Sequence, residues 1–331
     1  MASRSTRWPA RSSAPPAGLR PAYRHGAPHR ARVSHRRVDR VTRMQVLANG
    51  LALGAIYALV ASCLLLIFGI LEIPDFALGG RIMVGGYAGY FVAENLGLHY
   101  WFAVIAAALA AGLLGVVSEL AVYRWLRNTP RPLLSGFIGA LVLLTATEIT
   151  VQLLFTADFR KLPSPYESQI LDFAGIRMTE QRLLAGVVAL VLIAALHAYL
   201  RGTRGGRAMR ATLEDRRGAE IVGISPAKTA LVAMLLGSCM AGVAGALLGP
   251  MYLVYPTMGD AILIKGLIVI VLAGMRSSLG AISAALLLGI AESFGASYLS
   301  VGFSDAYAFI FLIIALMVRP NGLFTKSVLV R

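Results

Sequence analysis

The chain has 331 residues, of which 57% are hydrophobic and only 14% are charged, and its mean hydropathy is +0.72. These values exclude an ordinary soluble domain, because the charged surface of such a domain lowers the mean. The net charge of +15 does not indicate a nucleic-acid-binding domain, since residues 1–43 alone hold eleven arginines and one acid. Cys63 and Cys239 lie in apolar runs, so neither a disulfide framework nor a metal site is predicted.

Residues 1–43 are rich in Arg, Pro, Ser, Ala and His and show no apolar periodicity, so we predict a disordered tail. Three interpretations stay open: binding to anionic lipid, binding to a partner, or an upstream extension from a misassigned start. We favour the third, because Met44 opens directly onto the first apolar run. The predicted organisation is this tail, a transmembrane domain over 44–326, and a cytoplasmic tail over 327–331.

A series of apolar segments follows the tail, and several are as long as the roughly 20 residues that cross a bilayer. Backbone polar groups in hydrocarbon must be bonded within their own segment, so these runs predict helices. The segments cover 46–71, 76–92, 101–123, 133–155, 183–200, 229–253, 261–275, 279–299 and 306–318. We therefore predict an all-α polytopic membrane protein with about eight or nine transmembrane or re-entrant helices.

The charges of the connecting loops predict the orientation, because Lys and Arg collect on the cytoplasmic side. Basic residues dominate 124–131, 201–228 and the C-terminal tail, whereas acids balance the basic residues of 158–182. Alternation places the first three inside and the last outside. It also puts the arginine-rich N-terminus outside, unless the glycine-rich segment 76–92 is re-entrant or the basic tail is not present in the cell.

The stretch 207–224 is polar, contains helix-forming residues and lies between two long apolar segments. It predicts one short coupling helix across the cytoplasmic face of the membrane. Ala219 and Gly223 are four residues apart and would share a helix face that enters a groove on a partner. Glu214, Asp215 and Glu220 would meet basic residues of that partner. From spacing alone, an ordinary juxtamembrane loop with solvated charges is the alternative.

Ionisable and polar residues inside apolar runs usually face a protein interior or an aqueous path. Glu119 is expected to pair with Arg124, and Lys265, near Asp260, to extend towards the membrane surface. Pairing between neighbouring helices is the alternative role for the polar residues. The candidates for a translocation path are Asn49, Tyr57, Asp75, Thr147, Glu148 and Glu292.

Five blocks, in order along the chain, resemble the permease subunit of branched-chain amino acid type ABC importers. They are 50–59, 73–87, 206–224, 272–281 and 319–324. The resemblance implies separate ATPase subunits, an identical or different second permease, an extracytoplasmic solute-binding protein and a bacterial cytoplasmic membrane. It also implies a loop that contacts the ATPase. The residues assigned to this coupling loop are Arg210, Leu213, Glu214, Asp215, Arg216, Ala219, Gly223 and Ile224.

The chain departs from the family pattern where it carries Asp75, Leu78, Gly80, Arg81 and Arg276. These departures affect the predicted substrate more than the predicted transport mechanism. Relatives of this type import branched-chain amino acids, urea, short amides or other small polar solutes.

The chain lacks the phosphate-binding pattern Gly-x4-Gly-Lys-[Ser/Thr] and any recognisable set of nucleophile, base and orienting group. No catalytic residue and no cofactor are therefore predicted in this chain, and ATP would be bound by partner subunits. We expect a permease in contact with lipid and not with nucleic acid. An ion-gradient-driven secondary transporter is the alternative, and a passive channel is a third hypothesis.

Overall fold

The computed structural model describes residues 35–167, 169–173, 176–274, 277–319 and 322–323. The first 34 residues of the predicted tail, Arg276 and the predicted tail 327–331 lie outside these ranges. The helices are α1 (His35–Leu71), α2 (Leu78–Tyr90), α3 (Tyr100–Ser118), α4 (Arg124–Leu126), α5 (Pro132–Phe155), α6 (Glu180–Gly202), α7 (Arg204–Glu214), α8 (Arg216–Ile221), α9 (Pro226–Leu248), α10 (Met258–Ala273), α11 (Ser278–Tyr298) and α12 (Ser304–Val318).

Each apolar segment of the sequence forms a helix, so the predicted all-α polytopic fold is confirmed. π-helical turns continue α2 over Phe91–Asn95 and α3 over Glu119–Tyr123. A small antiparallel hairpin, β1 (Ile170–Phe173) paired with β2 (Ile176–Thr179), is added to the helices. Helix α1 begins at His35, so it includes the last residues of the segment predicted as a tail.

Within the described residues, six helices are long and apolar enough to cross a membrane. They are Arg43–Leu71, Tyr100–Leu126, Pro132–Phe155, Glu180–Gly202, Pro226–Leu248 and Ser278–Tyr298. Helices α2, α10 and α12 are shorter, with 13, 16 and 15 residues. The chain is thus a multi-pass membrane protein, and the total of eight or nine membrane elements stays a prediction.

Contacts at the helix ends define two sides of the bundle. At the start of α1, Gln45 donates a hydrogen bond of 3.0 Å to the Arg177 carbonyl of the hairpin. Near its end, Gly69 packs against the Leu213 side chain of α7. Helix α1 therefore joins a hairpin end to an α7–α8 end, and the start of α1 lies on the side opposite α7.

The glycine-rich second segment also passes between the two ends. Before it, Asp75 is hydrogen-bonded to Tyr123, which lies beside the basic connection 124–131. After it, Tyr100 accepts a hydrogen bond of 2.9 Å from Gln181 at the start of α6, next to the hairpin. The chain from Asp75 to Tyr100 thus connects the two sides, which disfavours the re-entrant alternative.

Glycines allow the helices to approach one another closely. In α9, a Cβ added to Gly242 would overlap the Ala107 oxygen of α3, and one added to Gly245 would overlap the Ile82 oxygen of α2. Hydrophobic driving force is absent between helices in lipid, so small residues favour association by increasing dispersion contacts. The small-residue stretch 236–249 therefore packs helices.

Candidate functional site

The polar stretch between α6 and α9 forms two helices instead of the predicted single one. Asp215 separates α7 from α8 because its backbone is extended and its Oδ1 accepts a hydrogen bond of 3.0 Å from the Arg217 amide. Thr203 caps α7 in the same way, because its hydroxyl oxygen accepts a hydrogen bond of 2.9 Å from the Gly206 amide. A side-chain oxygen at this position satisfies an amide that the helix leaves unpaired, so Asp215 starts a new helix.

Gly223 ends α8 and does not share a helix face with Ala219. Its φ is +84°, a conformation that glycine adopts without steric cost. The Ile224 amide donates to the Ala219 carbonyl at 2.9 Å, and the Gly223 amide to the Glu220 carbonyl at 3.0 Å. These two bonds form a Schellman motif. Ala219 itself is only 3% exposed, so the predicted shared surface of two small residues is wrong.

An exposed apolar pair takes the place of that surface. Ile221 and Val222, at the end of α8, are 86% and 73% exposed. An apolar patch with a polar rim typically marks a protein contact. The sequence carried a signal for it, because these are two adjacent apolar residues in an otherwise charged helix. We name Ile221 and Val222 the α8 tip.

The other residues assigned to the coupling loop surround the α8 tip or support it. Leu213 packs over Gly69 and so joins α7 to α1. Arg210, Glu214 and Asp215 are exposed, whereas Arg216 and Ile224 are half-buried. Helix α7 contacts α6, α1 and α9, and it also contacts α8. The α8 tip is therefore connected to three membrane helices through α7.

Two of the predicted path residues, Tyr57 and Glu292, meet in a buried polar group that we name the midplane cluster. The Tyr57 hydroxyl donates to Glu292 Oε2 at 2.8 Å. Lys265 Nζ donates to Glu292 Oε1 at 2.7 Å and to the Tyr57 hydroxyl at 3.1 Å. It also lies 3.1 Å from Oδ1 of Asp305, at the start of α12. The expectation that Lys265 extends to the membrane surface is therefore wrong.

The midplane cluster is named for the position of Tyr57, and its other members stand at different heights on their helices: Glu292 lies six residues before the end of α11, and Asp305 lies in the first turn of α12. Tyr57 stands midway along the span Arg43–Leu71, which places it about 21 Å from either end at 1.5 Å per residue. Glu292 and Lys265 are buried, whereas the Asp305 side chain is 67% exposed. Sequence reasoning missed Asp305, which sits in the first turn of a short apolar helix.

Asp75, a further path candidate, belongs to a separate buried charge group. Its carboxylate pairs with Arg81 and accepts a hydrogen bond from the Tyr123 hydroxyl. Arg81 is fully buried. Both charged residues are departures from the family pattern, and the structure shows that their charges neutralise each other. Removing one partner of such a pair is strongly destabilising, because an uncompensated charge is then left buried.

A second ion pair lies on the π-helical turn that ends α3. Glu119 pairs with Arg127, so the predicted pairing with Arg124 is wrong. The other carboxylate oxygen of Glu119, Oε2, is buried and has no hydrogen-bond partner within the described part of the chain. The pair fixes the end of α3 to the basic connection that follows it.

The remaining path candidates are dispersed. Glu148 is half-buried and its carboxyl faces that of Asp260 at the start of α10. Thr147 packs on Gly80 of α2, and its hydroxyl donates to the Leu143 carbonyl at 2.6 Å. Asn49 is half-buried near the hairpin end of α1. Of the six path candidates, the structure thus brings Tyr57 and Glu292 together and leaves the other four outside that site.

The residues that the structure describes contain no group of three or more His, Cys, Asp or Glu side chains that could hold a metal ion. The polar groups present can bind and orient a solute or transmit a movement.

Comparison with known proteins agrees with this architecture. Residues 46–318 match the protein family described as "Branched-chain amino acid transport system / permease component". LivH of Salmonella typhimurium is 31% identical over 293 residues, covering 85% of this chain and 94% of LivH. BraD of Pseudomonas aeruginosa is 31% identical over 291 residues, covering 85% and 95%. Both are named high-affinity branched-chain amino acid transport system permease proteins.

Among solved structures, PsaBC from Streptococcus pneumoniae in complex with Fab is similar, with a TM-score of 0.47 and 15% identity over 86% of this chain and 95% of that one. The family resemblance of the five sequence blocks is confirmed by the match over most of the chain. This polytopic chain belongs to the family of branched-chain amino acid transport system permease components.

Proposed function

We propose that this chain is the permease subunit of an ATP-driven importer for a branched-chain amino acid or a similar small polar solute. It works in a bacterial cytoplasmic membrane with separate ATPase subunits, a second permease and an extracytoplasmic binding protein. Membership of the permease family supports the role, and the names of LivH and BraD support the substrate class. The chain carries out no covalent chemistry of its own.

The α8 tip is the observation that carries the coupling part of the proposal. Two exposed apolar side chains, Ile221 and Val222, stand out from a charged segment at one end of the bundle. A soluble partner that buries them gains roughly 1.5–3 kcal/mol for each side chain. ATP binding in that partner would displace α7 and α8 and shift the permease between two packed states.

The test is co-purification of the ATPase subunits with the membrane chain. Ile221→Ser together with Val222→Ser should reduce the ATPase bound by about tenfold or more, because the apolar contact is lost. Leu96→Ser with Leu98→Ser is the matched control, since these two exposed apolar residues lie in the connection between α2 and α3, at the hairpin end. Equal ATPase recovery from both double variants would refute the assignment of the α8 tip.

A secondary transporter is the second candidate, and the midplane cluster favours it. Charged residues at mid-membrane often bind or relay the coupling ion of gradient-driven transporters. Proteoliposomes separate the two functions. Leucine uptake that needs the ATPase subunits and internal ATP supports the importer, whereas accumulation driven by a proton or sodium gradient without them would establish the alternative.

A further inference from the structure

Outside the α8 tip, the most unusual group is the exposed carboxylate of Asp305 in the first turn of α12. Asp305 contacts Lys265, which also bonds Tyr57 at the middle of α1. Its side chain is nevertheless 67% exposed. A charged group within a bilayer is costly and almost always faces protein or a water-filled cavity. Because Asp305 contacts a lysine that is bonded inside the helical bundle, we expect the face that carries Asp305 to adjoin protein or water and not hydrocarbon.

The charges around Lys265 are unbalanced. Its ammonium group has three donors, and they contact Glu292, the Tyr57 hydroxyl and Asp305. Glu292 is buried and held by two partners, whereas Asp305 is exposed and stands at the edge of the group. Two carboxylates against one ammonium leave an excess negative charge. A cationic group of a solute is the ligand that this charge would attract.

An apolar hollow adjoins the same two side chains. It lies between α10 and α12 and has a volume of about 50 Å³. That is several times the roughly 10–15 Å³ that one water molecule requires. Besides Lys265 and Asp305, it is lined by Ala261, Ile264, Ile268, Ala308 and Phe309. The hollow can hold a short aliphatic group next to the charged pair.

We propose that Lys265 and Asp305 form a binding station for the solute inside the helical bundle, with a zwitterionic aliphatic α-amino acid as the ligand. The Asp305 carboxylate binds the ammonium group of the solute. The N–H of Lys265 that had contacted Asp305 then donates to the carboxylate of the solute. The hollow between α10 and α12 receives the aliphatic side chain. This station rests on the proposed importer function and names the groups that recognise its solute.

Glu292 and Tyr57 are positioning residues in this arrangement. They accept hydrogen bonds from two of the three N–H groups of Lys265. The third N–H therefore points towards Asp305 on the exposed side of the cluster. The solute exchanges one ion pair for two, because the pair of Lys265 with Asp305 opens and each partner takes one solute charge. The net number of charged contacts therefore rises on binding without leaving Lys265 unpaired.

The experiment uses the complete importer in proteoliposomes, with its binding protein and labelled leucine. Asp305→Asn keeps the size of the side chain and removes its charge, and leucine uptake should fall about tenfold or more. Asp305→Glu should restore part of it. Asp158→Asn, which changes an exposed carboxylate near the hairpin end, should leave uptake unchanged. ATP hydrolysis stimulated by the binding protein should persist in all three variants.

A second measurement addresses the hollow. Ile264→Phe places a larger side chain at its half-exposed rim and should lower leucine uptake more than alanine uptake, because the longer aliphatic group no longer fits. Equal effects on both solutes would contradict the assignment of the hollow.

The outcomes separate this station from the importer function itself. Unchanged leucine uptake by Asp305→Asn would overturn the station while leaving the importer intact. Loss of the second permease from the purified Asp305→Asn complex would also overturn it, since Asp305 would then be a subunit contact. If the unaltered complex carries no amino acid at all, the proposed function fails first.

Discussion

Removal of Lys265 tests the midplane cluster as a set of coupled buried charges. Lys265→Met leaves Glu292 buried, with the Tyr57 hydroxyl as its remaining hydrogen-bond donor in the cluster. Breaking a buried ion pair by deleting one partner costs about 3–5 kcal/mol, because an uncompensated charge stays in a low-dielectric site. We expect this loss in the free energy of unfolding.

The reverse deletion should cost less. In Glu292→Gln, Lys265 keeps Asp305 and the Tyr57 hydroxyl, so the loss is closer to the roughly 1–3 kcal/mol of one hydrogen bond to a charged group. The double variant Lys265→Met with Glu292→Gln has no buried charge at this position. It should therefore be more stable than Lys265→Met alone, although it carries one more substitution.

The assay is reversible unfolding of the purified chain in mixed micelles, with all four proteins of the double-mutant cycle measured under one condition. The coupling free energy between the two residues should exceed about 2 kcal/mol. If both single variants lose the same free energy and the double variant loses their sum, the residues act independently. That result would refute the interpretation of the cluster as a coupled buried pair.

Three further predictions concern two glycines and the ion pair of Asp75 with Arg81. Gly223→Ala should lower the unfolding free energy by about 1 kcal/mol because of the positive φ, while Gly223→Asn should be tolerated better. Equal losses in the two variants would contradict the helix-end explanation. Gly245→Ala should cost about 1–3 kcal/mol, since the new Cβ meets backbone of α2, whereas Gly202→Ala, with open space around it, should cost far less in the same unfolding assay. Asp75→Asn should be strongly destabilising, and adding Arg81→Leu should recover stability, as measured by thermal unfolding; no recovery would show that their charges do not compensate.

The helices could be predicted from the sequence because the membrane imposes a simple rule. A backbone in hydrocarbon must satisfy its own hydrogen bonds, so an apolar run such as 133–155 has only one structure available to it. Helix α5 accordingly covers Pro132–Phe155. The short helices within 201–228 were harder, because a polar segment outside the hydrocarbon has more alternatives and one capping side chain, Asp215, decides where a helix is divided.

The pairing of intramembrane charges could not be predicted, because it depends on how helices rotate and tilt against one another. Glu119 lies on a π-helical turn, and the wider turn brings Arg127 opposite it instead of Arg124. Lys265 and Glu292 are on different helices and are 27 residues apart in the chain. Tyr57 and Glu292 are both polar residues in apolar runs, which makes them candidates for the translocation path. Nothing in their spacing indicates that they are in contact.

Helix α1 connects the α7–α8 end of the bundle with the midplane cluster. Leu213 of α7 packs on Gly69, and Tyr57 lies about 18 Å further along the same continuous helix at 1.5 Å per residue. No proline interrupts α1 to weaken its hydrogen bonds. In the proposed importer, a displacement of α7 would therefore be transmitted along α1 to Tyr57. Because Tyr57 bonds Lys265 and Glu292, that shift changes the geometry of the group that also holds Asp305.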